Sequence, residues 1–361
     1  MHDLLQTYGG AESVLKVLAD LYPSAPVFTM LYNKQRTDQW LKDRQIKTSF
    51  LQKAPLFLRK RYKWLLPMMP AAPETFNLRD YQLVISSCSG FSKGVIVKPG
   101  TTHICYMHAP MRYVWDWSSE YLSEQRLGKK RKILVRLLLN YLRMWDRAAI
   151  ERVDYLAANS EFTARRIWKY YKKKATVIYP PVNVNAFVPT KEHGDYFLTV
   201  SRITSSKRIR LIIETFCKLK LPLVVAGDGP EQKFLKKKFG NRENIRFVGW
   251  VEEAKKVELM QNARAFVFAA EDDFGITPVE AMAAGKPVIA LRAGGIVETM
   301  IEGVTGEFFE VPQIEMLADG VRRFIEKEAD YDAMEIRRQA EKFSVNVFKQ
   351  KFQEYVAAAT K

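Results

Sequence analysis

The sequence predicts an α/β protein of two domains, each a parallel sheet with helices on both faces. Three observations lead there. Short aliphatic and β-branched runs alternate with helical patterns along the whole chain, as in successive β-α-β units. Runs such as Leu223-Val224-Val225-Ala226 are apolar throughout, as strands covered on both faces must be. A chain of 361 residues, 47% of them apolar, exceeds one ordinary core and can fill two.

The elements follow in order. Residues 26–31, 82–87, 103–107, 154–158 and 176–179 read as strands, with helical patterns between them that include 11–21 and 161–171. Tyr179-Pro180-Pro181-Val182 breaks the alternation. A second series starts at 196–201 and continues at 223–226, 245–248, 265–269 and 288–291. The boundary falls near 180–192, which gives a first domain over 1–183 and a second over 184–343. A last amphipathic helix over 345–356 lies in a C-terminal segment, 344–361. No internal repeat or low-complexity tract is present. One feature conflicts with a complete first sheet. Gly9-Gly10 is a Gly-rich entry to a helix, and such a turn normally follows a strand. Residues 2–8 make a poor strand, so the first strand is expected to lie outside the chain, or the sheet to be built without it.

Composition narrows the function. No apolar run is long enough to span a bilayer, and the N-terminus lacks the basic and apolar segments of a signal peptide. Cys88, Cys105 and Cys217 are scattered, which points to a reducing cytoplasm rather than a disulfide framework. The charge is lopsided: residues 1–190 hold 30 Lys and Arg against 14 Asp and Glu, and residues 191–361 hold 27 against 26. Residues 56–66 and 129–139 place cations beside aromatic and aliphatic groups. Singly, each reads as a solvated basic face; together, on a strongly basic half, they point to contact with an anionic membrane. A basic half could also bind nucleic acid, but no nucleic-acid module motif is present.

The motifs with chemical content lie at strand ends. Arg202 and Lys207 follow the strand at 196–201, at the end where open α/β sheets bind ligands, and two cations there can neutralise a diphosphate. Gly227-Asp228-Gly229-Pro230 turns the chain sharply after the next strand, and Gly249-Trp250-Val251 follows another, where backbone groups can read a base edge. The longest motif runs from Glu271 to Ala290. An acidic loop with Asp272 leads through Phe274 and Gly275 into a helix begun by Ile276, Thr277 and Pro278, with Glu280 on it. The helix start offers N–H donors to an anion, and Glu280 can accept bonds from two ribose hydroxyls. Each turn, taken alone, is also an ordinary turn.

Together these motifs resemble glycosyltransferase family 4, of the GT-B fold, and within it the bacterial mannosyltransferase-like members of surface-polysaccharide assembly. The resemblance covers nearly the whole chain. Tyr8-Gly9-Gly10-Ala11-Glu12, Val84-Ile85-Ser86-Ser87, Lys93-Gly94-Val95, the segment His108 to Asp116, Ala158-Asn159-Ser160, Tyr179-Pro180-Pro181-Val182, Arg202 with Lys207, Gly227 to Pro230, and Asp272 to Glu280 carry it. It implies two Rossmann-like domains whose parallel sheets face each other across a cleft, with the nucleotide in the second domain. It implies that Arg202 and Lys207 bind the donor diphosphate and that Glu280 holds the ribose. Gly9 and Gly10 would face the diphosphate and sugar, with His108 as the active-site histidine. The family's Glu, seven residues, Glu motif has Asp272 at its first position here, one methylene shorter, where the carboxylate faces the donor sugar. The last helix is expected to cross back to the first domain.

The activity implied is retaining hexosyl transfer without a metal or cofactor, from a nucleotide-sugar. GDP-mannose is the first expectation and a UDP-sugar the second. The acceptor is expected to be a polyprenyl-diphosphate-linked sugar or an oligosaccharide, at the inner face of the cytoplasmic membrane. Asp330-Tyr331-Asp332 has the spacing of a metal-binding pair but lies in a charged helical region. Two other readings stay open: a polyanion-binding protein, and a non-catalytic relative that keeps the fold for binding or scaffolding.

Overall fold

The computed structural model describes residues 1–37, 41, 44–124 and 128–361. They form two compact units: Met1–Tyr179 with Phe348–Lys361, and Pro180–Val347.

The first unit holds β1 (His2–Leu5), β2 (Val27–Tyr32), β3 (Ile46–Thr48), β4 (Leu83–Cys88), β5 (Thr102–Met107), β6 (Tyr155–Ala158) and β7 (Thr176–Val177). They make a seven-stranded sheet in the order β3-β2-β1-β4-β5-β6-β7, with every pair parallel. The expectation of an absent first strand is therefore corrected. Residues 2–5 are that strand, near the middle of the sheet between β2 and β4. They read poorly because two of the four are polar, and both polar side chains find partners far along the chain. Asp3 accepts the backbone N–H groups of Ser89, Phe91 and Ser92 at 2.6, 2.9 and 2.6 Å, and buried His2 meets Ser87. With the strand present, one of the two arguments for a non-catalytic relative falls away, and Asp272 in place of Glu is the other.

A buried ion pair ties this unit together. Lys93 Nζ lies 2.5 Å from Asp146 Oδ1, both side chains being almost wholly enclosed. Asp146 Oδ2 accepts from Trp115 Nε1 and from the Tyr171 hydroxyl, each at 2.7 Å. The Asp146 carboxylate overcomes the burial that would otherwise push the Lys93 ammonium down and holds it well above its ordinary value. Gly94 is small because a Cβ there would lie 2.4 Å from the Trp145 ring. The last helix, Val345–Ala359, contributes Phe348 and Phe352, which stack on each other and meet Tyr106 of β5 edge-on at 5.7 and 6.2 Å.

The second unit holds β8 (Phe197–Val200), β9 (Leu223–Ala226), β10 (Ile245–Gly249), β11 (Ala265–Phe268), β12 (Val288–Leu291) and β13 (Gly306–Phe309), in the parallel order β10-β9-β8-β11-β12-β13. β8, β9, β11 and β12 are fully buried, as their apolar runs require. In each sheet the strand order reverses at one point, between β1 and β4 and between β8 and β11. The loops leaving those strands diverge to opposite faces, and the crevice they leave is where such sheets take ligands. Among the described residues, no helix is long and apolar enough to cross a membrane.

Candidate active site

In the second unit, the β8 and β11 loops bring most of the predicted residues to the switch point. Arg202 stands exposed just past β8. Its loop is held by the Gly227–Gly229 turn, where Ile203 N–H donates to the Asp228 carbonyl at 2.7 Å. That turn admits only glycine. At Gly227 (φ +121°) a Cβ would lie 1.9 Å from the Ser201 carbonyl, and at Gly229 (φ +159°) 2.3 Å from that of Ile203. Gly227 N–H in turn donates to the carbonyl of Gly249 at 2.6 Å, which carries the support to the turn preceding half-buried Val251.

Lys207 crosses the switch point and ion-pairs Asp272. Arg208, at φ +51°, makes a second strap: its Nη1 donates to the Ala269 carbonyl at 3.0 Å. Behind Asp272 the chain is braced by Gly294-Gly295. Gly295 N–H donates to the Asp272 carbonyl at 2.9 Å, and a Cβ on Gly294 would come within 2.3 Å of that oxygen. Gly275, at φ +91°, then starts the helix Ile276–Ala283, with Ile276 and Thr277 half-buried on its first turn. Phe274 is buried, its ring 5.5 Å from that of Phe343.

Glu280 is buried on this helix. Its Oε1 lies 2.8 Å from Lys256 Nζ, and Lys256 also lies 2.9 Å from Glu253. Oε2 is buried with no hydrogen-bond partner. Burial pushes the Glu280 carboxyl up, and one ammonium does not offset it. For Lys256 burial works downward, but the two carboxylates prevail and hold it above its ordinary value. A buried acceptor left unmade costs about 1–3 kcal/mol, so this oxygen favours any hydroxyl that reaches it.

In the first unit, Gly9 and Gly10 are exposed at the start of the helix Gly10–Leu21. His108 directly follows β5, and its N–H donates to the Cys88 carbonyl at 2.8 Å. Its Nε2 lies 2.8 Å from Ser87 Oγ, which lies 3.1 Å from His2 Nδ1; His2 Nε2 lies 3.6 Å from Glu12 Oε1. Burial first, and His2 second, push His108 down to about 3, so its imidazole is neutral at ordinary pH.

Sequence reasoning missed Lys256 and Arg208 as parts of the second-unit site, and His2 and Ser87 as neighbours of His108, with Glu12 behind His2. Ser87 and Glu12 stood in quoted motifs without a role; for Lys256 the signal was slight, a basic residue on a helix of weak amphipathicity. Asp332 of the Asp330-Tyr331-Asp332 triplet caps a helix, accepting Glu335 N–H at 2.7 Å.

The basic stretches of the first unit surround exposed apolar groups. On the helix Lys129–Ala149, Leu134, Leu137, Tyr141 and Met144 recur at helical spacing on one stripe and are exposed, Leu134 at 68% and Leu137 at 62%. Lys129, Lys132, Arg136 and Arg143 lie roughly a third of a turn round the helix from this stripe, and Arg143 donates to the Val114 carbonyl at 3.1 and 2.8 Å. Phe57 and Trp64 are exposed in the other stretch, with Arg61 5.5 Å over the Trp64 ring.

Comparison with known proteins decides the family. Residues 8–186 match the model for Glycosyltransferase Family 4, and residues 184–343 that for Glycosyl transferases group 1. The chain belongs to glycosyltransferase family 4. This family 4 glycosyltransferase is 25% identical over 279 residues to the alpha-1,3/1,6-mannosyltransferase ALG2 of Dictyostelium discoideum, covering 63% of this chain and 66% of that one. It is 27% identical over 243 residues to ALG2 of Homo sapiens, covering 56% and 58%. The N-acetyl-alpha-D-glucosaminyl L-malate synthase of Bacillus anthracis is 24% identical over 241 residues, covering 58% and 62%. The chain thus spans between about half and two thirds of the length of the curated relatives it matches. Among solved structures, Anabaena HepE in complex with UDP and glucose superposes with a TM-score of 0.68 at 17% identity, over 99% of both chains. Sucrose-phosphate synthase of Thermosynechococcus elongatus gives 0.71 at 16%, again over 99% of both. With two parallel-sheet units and these neighbours, the fold is GT-B.

Proposed function

We propose that this chain is a retaining hexosyltransferase that holds its nucleotide-sugar in the second unit. The observation that carries this is the Glu280 carboxylate, buried on a helix at the sheet's switch point with one oxygen lacking a hydrogen-bond partner. A ribose supplies the paired hydroxyls such a carboxylate accepts. In this reading Arg202 and Lys207 bind the diphosphate, Gly227 and Val251 border the base, and Phe274, Gly275, Ile276 and Thr277 line the approach to phosphate and sugar. Asp272 contacts the sugar and aims Lys207. Gly9 and Gly10 are assigned to the diphosphate and His108 to orienting the sugar.

The chemistry is front-face displacement. The bond from the anomeric carbon to the diphosphate breaks with its electron pair leaving on phosphate oxygen, and the acceptor oxygen bonds on the same face. The departing phosphate takes the acceptor's proton. Arg202 and Lys207 stabilise the growing negative charge, so no metal is required by this route. Mannose, from GDP-mannose, is favoured by the mannosyltransferase relatives; the UDP bound in HepE favours a UDP-sugar as the second choice. The exposed apolar stripe on the cation-rich helix Lys129–Ala149 supports docking on an anionic membrane, at the cytoplasmic face, with a polyprenyl-diphosphate-linked or oligosaccharide acceptor of surface polysaccharide.

The test is thermal stabilisation by GDP, UDP, GDP-mannose and UDP-glucose. A ligand at 100 times its Kd adds about 2.7 kcal/mol. One nucleotide class stabilising the chain, and failing to stabilise Glu280→Ala, is the expected result and names the base. A folded chain that answers no nucleotide overturns the reading. Product stereochemistry, read by NMR of the new glycosidic bond, tests retention.

A further inference from the structure

Ser87 stands between two imidazoles. Its Oγ lies 2.8 Å from His108 Nε2 and 3.1 Å from His2 Nδ1. A hydroxyl has one proton, so it donates to one ring and accepts from the other. The proton positions on the two rings are thereby tied together. The far side of His2 breaks the symmetry. Its Nε2 lies 3.6 Å from Oε1 of Glu12, a carboxylate that only accepts, and this draws the His2 proton to Nε2. A neutral His2 then presents a bare Nδ1, which takes the Ser87 proton. Ser87 Oγ accepts from Nε2–H of His108, and His108 Nδ1 is left bare.

We propose that Glu12, His2 and Ser87 are positioning residues that set the tautomer of His108, leaving its Nδ1 as an acceptor for a hydroxyl of the transferred sugar. The proposal rests on the reading above that His108 orients that sugar. No other arrangement of a neutral His2 satisfies the chain: a proton on its Nδ1 leaves bare Nε2 facing the carboxylate. Adding one proton to His2 reverses the order. His2 Nδ1–H donates to Ser87, Ser87 donates to His108 Nε2, and His108, still carrying one proton, carries it on Nδ1 as a donor. Among the described residues, the charged and titratable groups facing His108 are His2 and Asp3 on β1, with Glu12 behind them on the helix Gly10–Leu21, and Tyr106 of β5, whose ring meets the imidazole edge-on at 5.2 Å and whose hydroxyl donates to the Ile178 carbonyl. Asp3 is committed to three backbone N–H groups and takes no part in the chain. The burial that keeps His108 neutral makes its tautomer, rather than its charge, the variable that matters.

The chain has four histidines, so labelling them with nitrogen-15 gives a spectrum in which each tautomer can be read directly. His108 is assigned by its own replacement. At neutral pH the free protein is expected to show His108 protonated on Nε2. Ser87→Ala and Glu12→Gln are each expected to raise the Nδ1–H share several-fold, and to lower kcat about tenfold with KM for the nucleotide-sugar unchanged. A merely structural network would leave the kcat-to-KM pattern undivided. Should Ser87→Ala fail to fold, Glu12→Gln, whose side chain lies nearer the surface, carries the test alone. Nδ1–H on His108 in the parent protein, or a tautomer unmoved in the folded variants, overturns the proposal. The tautomer is read without substrate. A chain with the expected tautomer and no transferase activity therefore refutes only the functional reading.

Discussion

Lys256 Nζ meets Oε1 of Glu280 at 2.8 Å, while Oε2 of the same carboxylate is buried without a partner. The ammonium anchors the carboxylate from one side, and the other oxygen keeps its acceptor capacity unused. Glu280→Gln keeps the shape but replaces an ionised acceptor by a half-donor. Nucleotide affinity is expected to fall about tenfold or more, since charge-assisted bonds contribute roughly 1.5–3 kcal/mol. A thermal-shift titration reads this, and an unchanged midpoint would remove Glu280 from the site. The raised Glu280 carboxyl adds a pH effect. The free protein takes up its proton at higher pH than an exposed glutamate would, so affinity is expected to weaken as pH falls towards the carboxylate range.

Stability should also depend on two histidines. Burial pushes His103 down to about 4 and His108 down to about 3. In the unfolded chain both titrate near about 6.5. Between those values the unfolded chain binds protons that the folded one refuses, so stability falls as pH drops. Above about 6.5 the two contribute no slope. The urea midpoint is expected to be lower at pH 5 than at pH 7, with a smaller drop in His103→Gln. Equal drops in the two proteins would assign the acid sensitivity elsewhere.

The Gly227 turn supports Arg202 through backbone contact alone. Gly227→Ala would place a Cβ 1.9 Å from the Ser201 carbonyl, at φ +121°, and neither side can yield cheaply. The expected result is loss of nucleotide stabilisation and a destabilisation above about 2 kcal/mol. Gly303→Ala is the control: its φ is +75°, but a Cβ there meets nothing within 4 Å. It should cost only the left-handed penalty, about 1–2 kcal/mol, and leave binding intact. Equal effects would show that strain, not contact, governs both.

Membrane docking predicts a two-part dependence. Leu134→Ser with Leu137→Ser should weaken binding to phosphatidylglycerol-containing vesicles without changing its salt dependence. Lys132→Glu with Arg136→Glu should lower the salt dependence itself, each cation near an anionic surface contributing about 1 kcal/mol. Sedimentation with charged and with zwitterionic vesicles separates the two. Equal binding of the parent to both vesicle types would refute the electrostatic part.

Much of the architecture was legible because burial on both faces is written locally. Residues 223–226 and 288–291 are apolar throughout, and they are β9 and β12 to the residue. The helix Glu161–Tyr171 begins where Ser160, its cap, accepts the Thr163 N–H. The strands that escaped notice are short or polar. β1 carries His2 and Asp3. β13 carries Gly306 and Glu307, the latter buried against Arg323 and the Tyr331 hydroxyl. A polar residue in a sheet is affordable only where a distant group satisfies it, and a local pattern does not contain that group.

The same division holds at the site. By itself the sequence determined the residue types at the strand ends, Arg202, Lys207, Asp272 and Glu280, because turn and helix-start chemistry is local. Tertiary structure alone decided their partners. The strand order sets β8 beside β11, so Lys207 reaches Asp272 across 65 residues of sequence. It also sets β1 beside β4, so that His2 meets Ser87 across 85. Which groups share a proton or leave an oxygen unpaired depends on distances of a fraction of an ångström, and only sheet order and register fix those.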